Sequence, residues 1–133
     1  TPERVAEIPY EELQALQFSR RKAEYVVDTA KKIVSGETDL TSLNETSDED
    51  IMKSLTKLRG VGPWTVQNWL MFSLGRPDLF PIADIGIQNA LKIYFGMEKK
   101  PTIEQMEDWM QSWKPYRSYA AMTLWRSIEE PEF

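Results

Sequence analysis

Leu58-Arg59-Gly60-Val61-Gly62-Pro63-Trp64-Thr65 is the stretch from which the fold can be read. Two glycines flank a single aliphatic residue between two amphipathic segments. Glycine can take positive φ and lets another chain come close to its backbone. Pro63 suits the first turn of a following helix, where its missing N–H would have no intrahelical acceptor in any case. The pattern predicts a tight interhelical hairpin, with Val61 plugging the turn into the core. It also predicts outward amides at a helix N-terminus, where backbone dipoles favour an anion. Taken alone, the segment reads equally well as a tight turn with no ligand.

Charge around the hairpin separates the two readings. From Glu37 to Asp50 there are six acids and no base; from Ile51 to Pro77 there are four bases, Lys53, Lys57, Arg59 and Arg76, and no acid. The helix before the hairpin is expected to end in Lys53, Lys57 and Arg59. Orphan amides beside basic side chains are what a DNA backbone contact needs, and such contacts position a duplex without reading its sequence. Phosphate binding becomes the better reading, with Arg59, Gly60, Gly62 and Thr65 as the contacting residues.

Working outward, punctuation and periodicity predict helices throughout. A short helix near Tyr10–Leu16 follows Pro9. Ser19 caps a longer one carrying Ala23, Val26, Val27, Ala30, Ile33 and Val34 at helical spacing, with Gly36 as its stop. Ser47 with Asp48-Glu49-Asp50 starts the next, through Ile51, Met52, Leu55 and Leu58. Another runs from Trp64 to Leu74 and ends at Gly75. The loop 76–83 contains Pro77 and Pro81, which restrict their neighbours. Asp84 stands at the start of a helix through Ile87, Ala90, Leu91 and Tyr94 to Gly96. Thr102 and Gln105 form a capping box for a helix ending near Trp113. Pro115 opens the last helix, Tyr116 to about Ile128, and Glu129–Phe133 is expected to fray. No stretch alternates with period two, so the fold class is all-α.

The 133 residues suffice for one core and carry a net charge of −5, which argues against indiscriminate polyanion binding. With no cysteine there is no disulfide framework, thiolate zinc site or cysteine-bound iron–sulfur cluster. With no histidine, the usual general base and commonest metal ligand are missing too. No apolar run approaches the ~20 residues needed to span a bilayer. An intracellular protein with no cofactor is the expectation.

The hairpin resembles that of the helix-hairpin-helix DNA glycosylases. The likeness continues through Leu74-Gly75-Arg76-Pro77-Asp78, Phe80-Pro81-Ile82-Ala83-Asp84-Ile85-Gly86 and Trp113-Lys114-Pro115-Tyr116-Arg117-Ser118-Tyr119-Ala120-Ala121. Together these resemble the 3-methyladenine DNA glycosylase II subfamily. The resemblance implies a helical bundle with the helix-hairpin-helix motif across residues 1–133, its hairpin at about 58–65. It implies a monofunctional enzyme that removes alkylated purines from double-stranded DNA. Its place would be the bacterial cytoplasm with the nucleoid, or the nucleus of a eukaryote.

Within the resemblance, Asp84 is the catalytic residue. Cleaving an N-glycosidic bond builds positive charge on the sugar, which a fixed carboxylate stabilises; it can also orient or deprotonate the attacking water. Without the resemblance, Asp84 reads first as a helix cap. Trp64 and Trp125 map onto the pocket that stacks a flipped base, while Trp69, Trp109 and Trp113 are read as core. Trp64 stands where bifunctional relatives carry a Schiff-base lysine. Asn68 stands where some members have a pocket tyrosine, which leaves base preference open. A Na+ or K+ ion bridging the carbonyls of Thr56, Leu58 and Val61 to a phosphate is a further implication. The family has more helices before the position of Thr1, so the chain is expected to be the C-terminal portion of such an enzyme, with the missing segment as a partner. Two rivals remain, a non-catalytic DNA-binding module and a helical protein-interaction domain.

Overall fold

A computed structural model describes residues 1–129. Among the described residues there are eight α-helices, one 3-10 turn and no strand. The chain gathers into two compact units, Thr1–Val66 and the part from Gln67 on.

The first unit holds α1 (Pro2–Ala6), α2 (Tyr10–Ala15), α3 (Arg20–Val34), the 3-10 turn Leu43–Glu45, α4 (Asp48–Leu55) and the start of α5 (Pro63–Phe72). Helices α1 and α2 pack on α3, where Leu13, Ala23 and Val27 form a small core with Ile8 and Tyr10 against it. Ala23, Val27 and Ala30 recur along one face of α3 and are buried, whereas Val26 and Val34 are largely exposed. Ile51, Leu55, Leu58 and Val66 are also buried in this unit.

The second unit holds the rest of α5, then α6 (Ile85–Tyr94), α7 (Ile103–Gln111) and α8 (Arg117–Glu129). Its core is Met71, Phe80, Ile87, Leu91, Met106 and Ala121, with Trp109 and Trp113 packed against it as expected of core tryptophans. Helices α6 and α8 pack on each other. Burying an aliphatic side chain of this size is worth about 1.5–3 kcal/mol.

Local chemistry explains the helix starts. Ser19 Oγ accepts from the Lys22 amide at 3.3 Å, and Ser47 Oγ from the Asp50 amide at 3.1 Å. Thr102 and Gln105 make both bonds of the capping box, at 3.2 and 2.9 Å.

The ends depart from expectation. Helix α4 stops at Leu55, and Thr56 returns its hydroxyl to the Met52 carbonyl at 2.7 Å. Lys57 and Arg59 therefore lie in the turn, outside the helix. Helix α5 includes Pro63 and stops at Phe72, two residues before Leu74. There Gly75 takes φ +64 and the Arg76 amide reaches back to the Leu70 carbonyl. Helix α7 ends at Gln111, short of Trp113. Helix α1 was not expected: five residues are too few for periodicity, although Pro2 and Glu3 are ordinary start signals. Of the end expected to fray, Glu129 is still helical, and residues 130–133 lie outside the described residues. No helix among the described residues is long and apolar enough to cross a membrane.

Candidate functional site

The hairpin lies in the first unit. Gly60 takes φ +83, and a Cβ on it would collide with the Cδ2 edge of the Tyr25 ring on α3. Glycine is thus required here twice, by conformation and by the close approach of an aromatic ring. Gly62 differs: a Cβ there would meet nothing within 4 Å, so the fold of this unit leaves the space beside it open. Its carbonyl accepts from the Val66 amide at 3.1 Å and closes the first turn of α5. Thr65 is exposed in that turn.

Leu58, not Val61, plugs the turn. Leu58 is 7% exposed, while Val61 is half-buried and lines an open groove of about 400 Å3 with Phe18, Lys22, Tyr25, Val26, Thr29, Arg59 and Gly60. Arg59 is anchored rather than isolated. Its Nη1 lies 3.3 Å from Asp28 Oδ2, and its guanidinium sits 5.4 Å from the centre of the Tyr25 ring. Nothing at Asp28 or Tyr25 in the sequence announced either contact, since both lie more than thirty residues away. Lys53 and Lys57 are exposed.

The second unit holds the carboxylate. Asp84 caps α6, its Oδ1 accepting from the Ile87 amide at 2.9 Å. The same oxygen accepts from the Trp125 indole Nε1 at 2.9 Å. The cap reading and the functional reading are therefore compatible: the cap is what fixes the carboxylate. Trp125 also stacks on Phe72, ring centres 5.9 Å apart at 27°. Gly86 closes the group, because a Cβ there would stand 3.0 Å from Asp84 Oδ1 and 3.3 Å from Trp125 Cδ1. Sequence reasoning placed Trp125 in the pocket but missed its bond to Asp84, and missed Phe72 and Gly86.

The loop leading to Asp84 is tied to the start of α8. Arg117 Nε and Nη2 grip Asp78 Oδ1 and Oδ2 at 2.6 and 2.9 Å, and Nη2 also reaches the Asp78 carbonyl at 3.0 Å. The hydrogen bond from Arg117 is the main reason the Asp78 carboxyl sits below the ordinary aspartate range. Ser118, 1% exposed, donates to the Arg76 carbonyl at 2.7 Å and accepts from the Leu79 amide at 2.9 Å. Its own amide bonds the Pro77 carbonyl at 2.9 Å. From there Asp84 N–H reaches Pro81 and Gln88 Nε2 reaches Ile82, which carries the ordered backbone to the carboxylate.

Trp64 and Asn68 stand one turn apart on α5, Trp64 50% exposed and Asn68 half-buried. Of the three carbonyls expected to hold a cation, that of Leu58 accepts from the Val61 amide at 3.1 Å, and Thr56 caps α4. No group of three or more His, Cys, Asp or Glu among the described residues is arranged to hold a metal ion.

Residues 1–115 match the HhH-GPD superfamily of base excision DNA repair proteins. A putative DNA-3-methyladenine glycosylase of Bacillus subtilis is 56% identical over 128 residues, 96% of this chain and 45% of that protein. A DNA-3-methyladenine glycosylase of the same organism is 36% identical over 126 residues, 95% of this chain and 42% of that protein. The 3-methyladenine DNA glycosylase of Schizosaccharomyces pombe, solved with abasic DNA, superposes with a TM-score of 0.91 at 30% identity, covering 100% of this chain and 65% of that one. The chain spans about half the length of the curated relatives it matches. By the extent of the family match and the helical frame that carries hairpin and carboxylate alike, this chain belongs to the HhH-GPD superfamily of base excision DNA repair proteins.

Proposed function

We propose that this chain carries the DNA grip and the catalytic carboxylate of a monofunctional DNA glycosylase acting on alkylated purines of the 3-methyladenine or 7-methylguanine type. The observation that carries the reading is Asp84, whose carboxylate is held at the start of α6 by two donors, the Ile87 amide and the Trp125 indole. When the N-glycosidic bond breaks, its electron pair leaves with the base and the sugar carbon becomes cationic. A fixed negative charge stabilises that state without having to reorganise. Water then adds to the carbon, and the same carboxylate can accept its proton. An alkylated purine leaves as a neutral base, so no strong acid is required, in keeping with a sequence that has no histidine. The names of the two B. subtilis relatives support this substrate class.

The half-exposed indole of Trp64 supplies a stacking face for an extruded base, and a cationic purine gains about 0.5–2 kcal/mol over such a face. Asn68, a turn further on, belongs to the same proposed base pocket and leaves the base preference open. Trp64 has no amine to attack the sugar, so the product is an intact abasic site. The hairpin seats a phosphate of double-stranded DNA, with Gly60, the open space at Gly62, Thr65 and the anchored Arg59 around it. The carbonyls of Thr56, Leu58 and Val61 would be the oxygens to hold a Na+ or K+ ion, which would add positive charge beside that phosphate. The further length seen in the relatives would complete the enzyme, which works on chromosomal DNA in the bacterial cytoplasm or a eukaryotic nucleus.

The test is base release from a methylated duplex by the complete enzyme containing this segment. Free alkylpurine and an uncleaved abasic strand are expected, with no adduct trapped by borohydride. Binding to abasic duplex without any release would favour the non-catalytic module instead.

A further inference from the structure

The sequence Arg117-Ser118 draws no role from the chemistry above, yet its side chains make a dense cluster of long-range hydrogen bonds in the second unit. We infer that Arg117 and Ser118 are positioning residues for Asp84, holding the loop that delivers it while the same helix supplies the donor that orients it. The inference rests on the reading of Asp84 given under Proposed function.

Three observations carry it. Ser118 is 1% exposed and uses its hydroxyl as donor to the Arg76 carbonyl and acceptor from the Leu79 amide, so it replaces the backbone pairing that an irregular loop lacks. Arg117 closes on Asp78 with two parallel bonds and a third to its carbonyl, a geometry that fixes direction as well as distance. Trp125 lies seven residues after Ser118, two helical turns along the same face of α8, and bonds Asp84 Oδ1. One rigid helix thus sets the start of the loop through Arg117 and Ser118, and its end through Trp125. If the first grip slips, the second must stretch.

The experiment reads that second grip directly in this chain. The chain has five tryptophans, so its NMR spectrum holds five indole N–H resonances, and Trp125→Phe identifies the one that belongs to Trp125. Asp84→Ala gives the position of that resonance with the bond broken. Ser118→Ala is expected to move it toward the broken-bond position while the other four stay. Because a buried serine also supports the fold, Arg117→Lys and Asp78→Asn are measured beside it; their side chains are 20% and 31% exposed, and each removes the paired geometry with little change of volume. These two should shift the resonance in the same direction. In the complete enzyme they should slow single-turnover base release by on the order of 10- to 100-fold, with affinity for abasic DNA kept. An unmoved Trp125 resonance in folded Arg117→Lys and Asp78→Asn alike would overturn the inference, whatever the activity. A resonance that moves in the variants, beside a complete parent enzyme that releases no base, would keep the positioning role and overturn the glycosylase reading instead.

Discussion

At Asp84 one oxygen serves a backbone amide and an indole at once. Replacing the aspartate by asparagine keeps an acceptor for both donors and removes the charge. If Asp84 plays the catalytic part proposed for it, Asp84→Asn in a complete enzyme containing this segment is expected to melt as the parent does and to bind abasic DNA, yet to lose base release by roughly a hundredfold or more in single-turnover assays. Parent-rate release from a normally folded variant would leave Asp84 as a cap alone. The two hairpin glycines should part company in the same kind of test. Gly60→Ala meets the Tyr25 ring and a positive φ, so about 1–3 kcal/mol of stability should be lost in denaturant titrations. Gly62→Ala meets nothing, and should leave stability intact while weakening every duplex alike, whatever its sequence. Equal affinity for parent and Gly62→Ala would remove the hairpin from the DNA contact.

Among the elements, the loop 76–83 and the first turn of α8 form a unit whose stability should depend on acid. Asp78 is held below its ordinary pKa by Arg117, so the folded state binds the proton less readily than the unfolded chain. The stabilisation is fully present above the unfolded aspartate value, about 3.9, and is lost as pH falls through the lower folded one. Thermal melts taken downward from pH 5 should fall more steeply for the parent than for Asp78→Asn; parallel curves would show the pair to be inert. Helix starts were legible in the sequence because a cap is local: Ser19, Ser47, Asp84 and Thr102 with Gln105 each bond a residue three positions on. Helix ends were less so, since Leu58 stays buried beyond the end of α4 and periodicity cannot tell a last turn from the turn after it. The staple and the indole bond were illegible for a different reason. Their partners are 39 and 41 residues apart, and only the folded chain brings them together.

For the molecule as a whole, a net charge of −5 and an acidic stretch running into the first turn of α4 leave any DNA contact to local positive charge. Affinity for undamaged duplex should fall steeply with salt, each phosphate contact contributing about 0.9 to the slope of log K against log salt. Removing Lys57 or Arg59 should lower that slope in a salt titration, and an unchanged slope would place the contact elsewhere. The second unit's core is separable from this chemistry. Leu91→Ala should cost about 2–5 kcal/mol by cavity formation, read as a lower melting temperature, without altering the salt slope.

The double duty of Asp84 also constrains inheritance. Were the proposed glycosylase released from selection for turnover, most substitutions at position 84 would uncap α6 and strand an indole donor, and would be purged for instability before any loss of chemistry mattered. Asparagine escapes that filter, because it caps as well as aspartate does and is one nucleotide change away. Inactive descendants of this fold should therefore carry Asn at 84 more often than Ala or Val, and should persist as folded proteins.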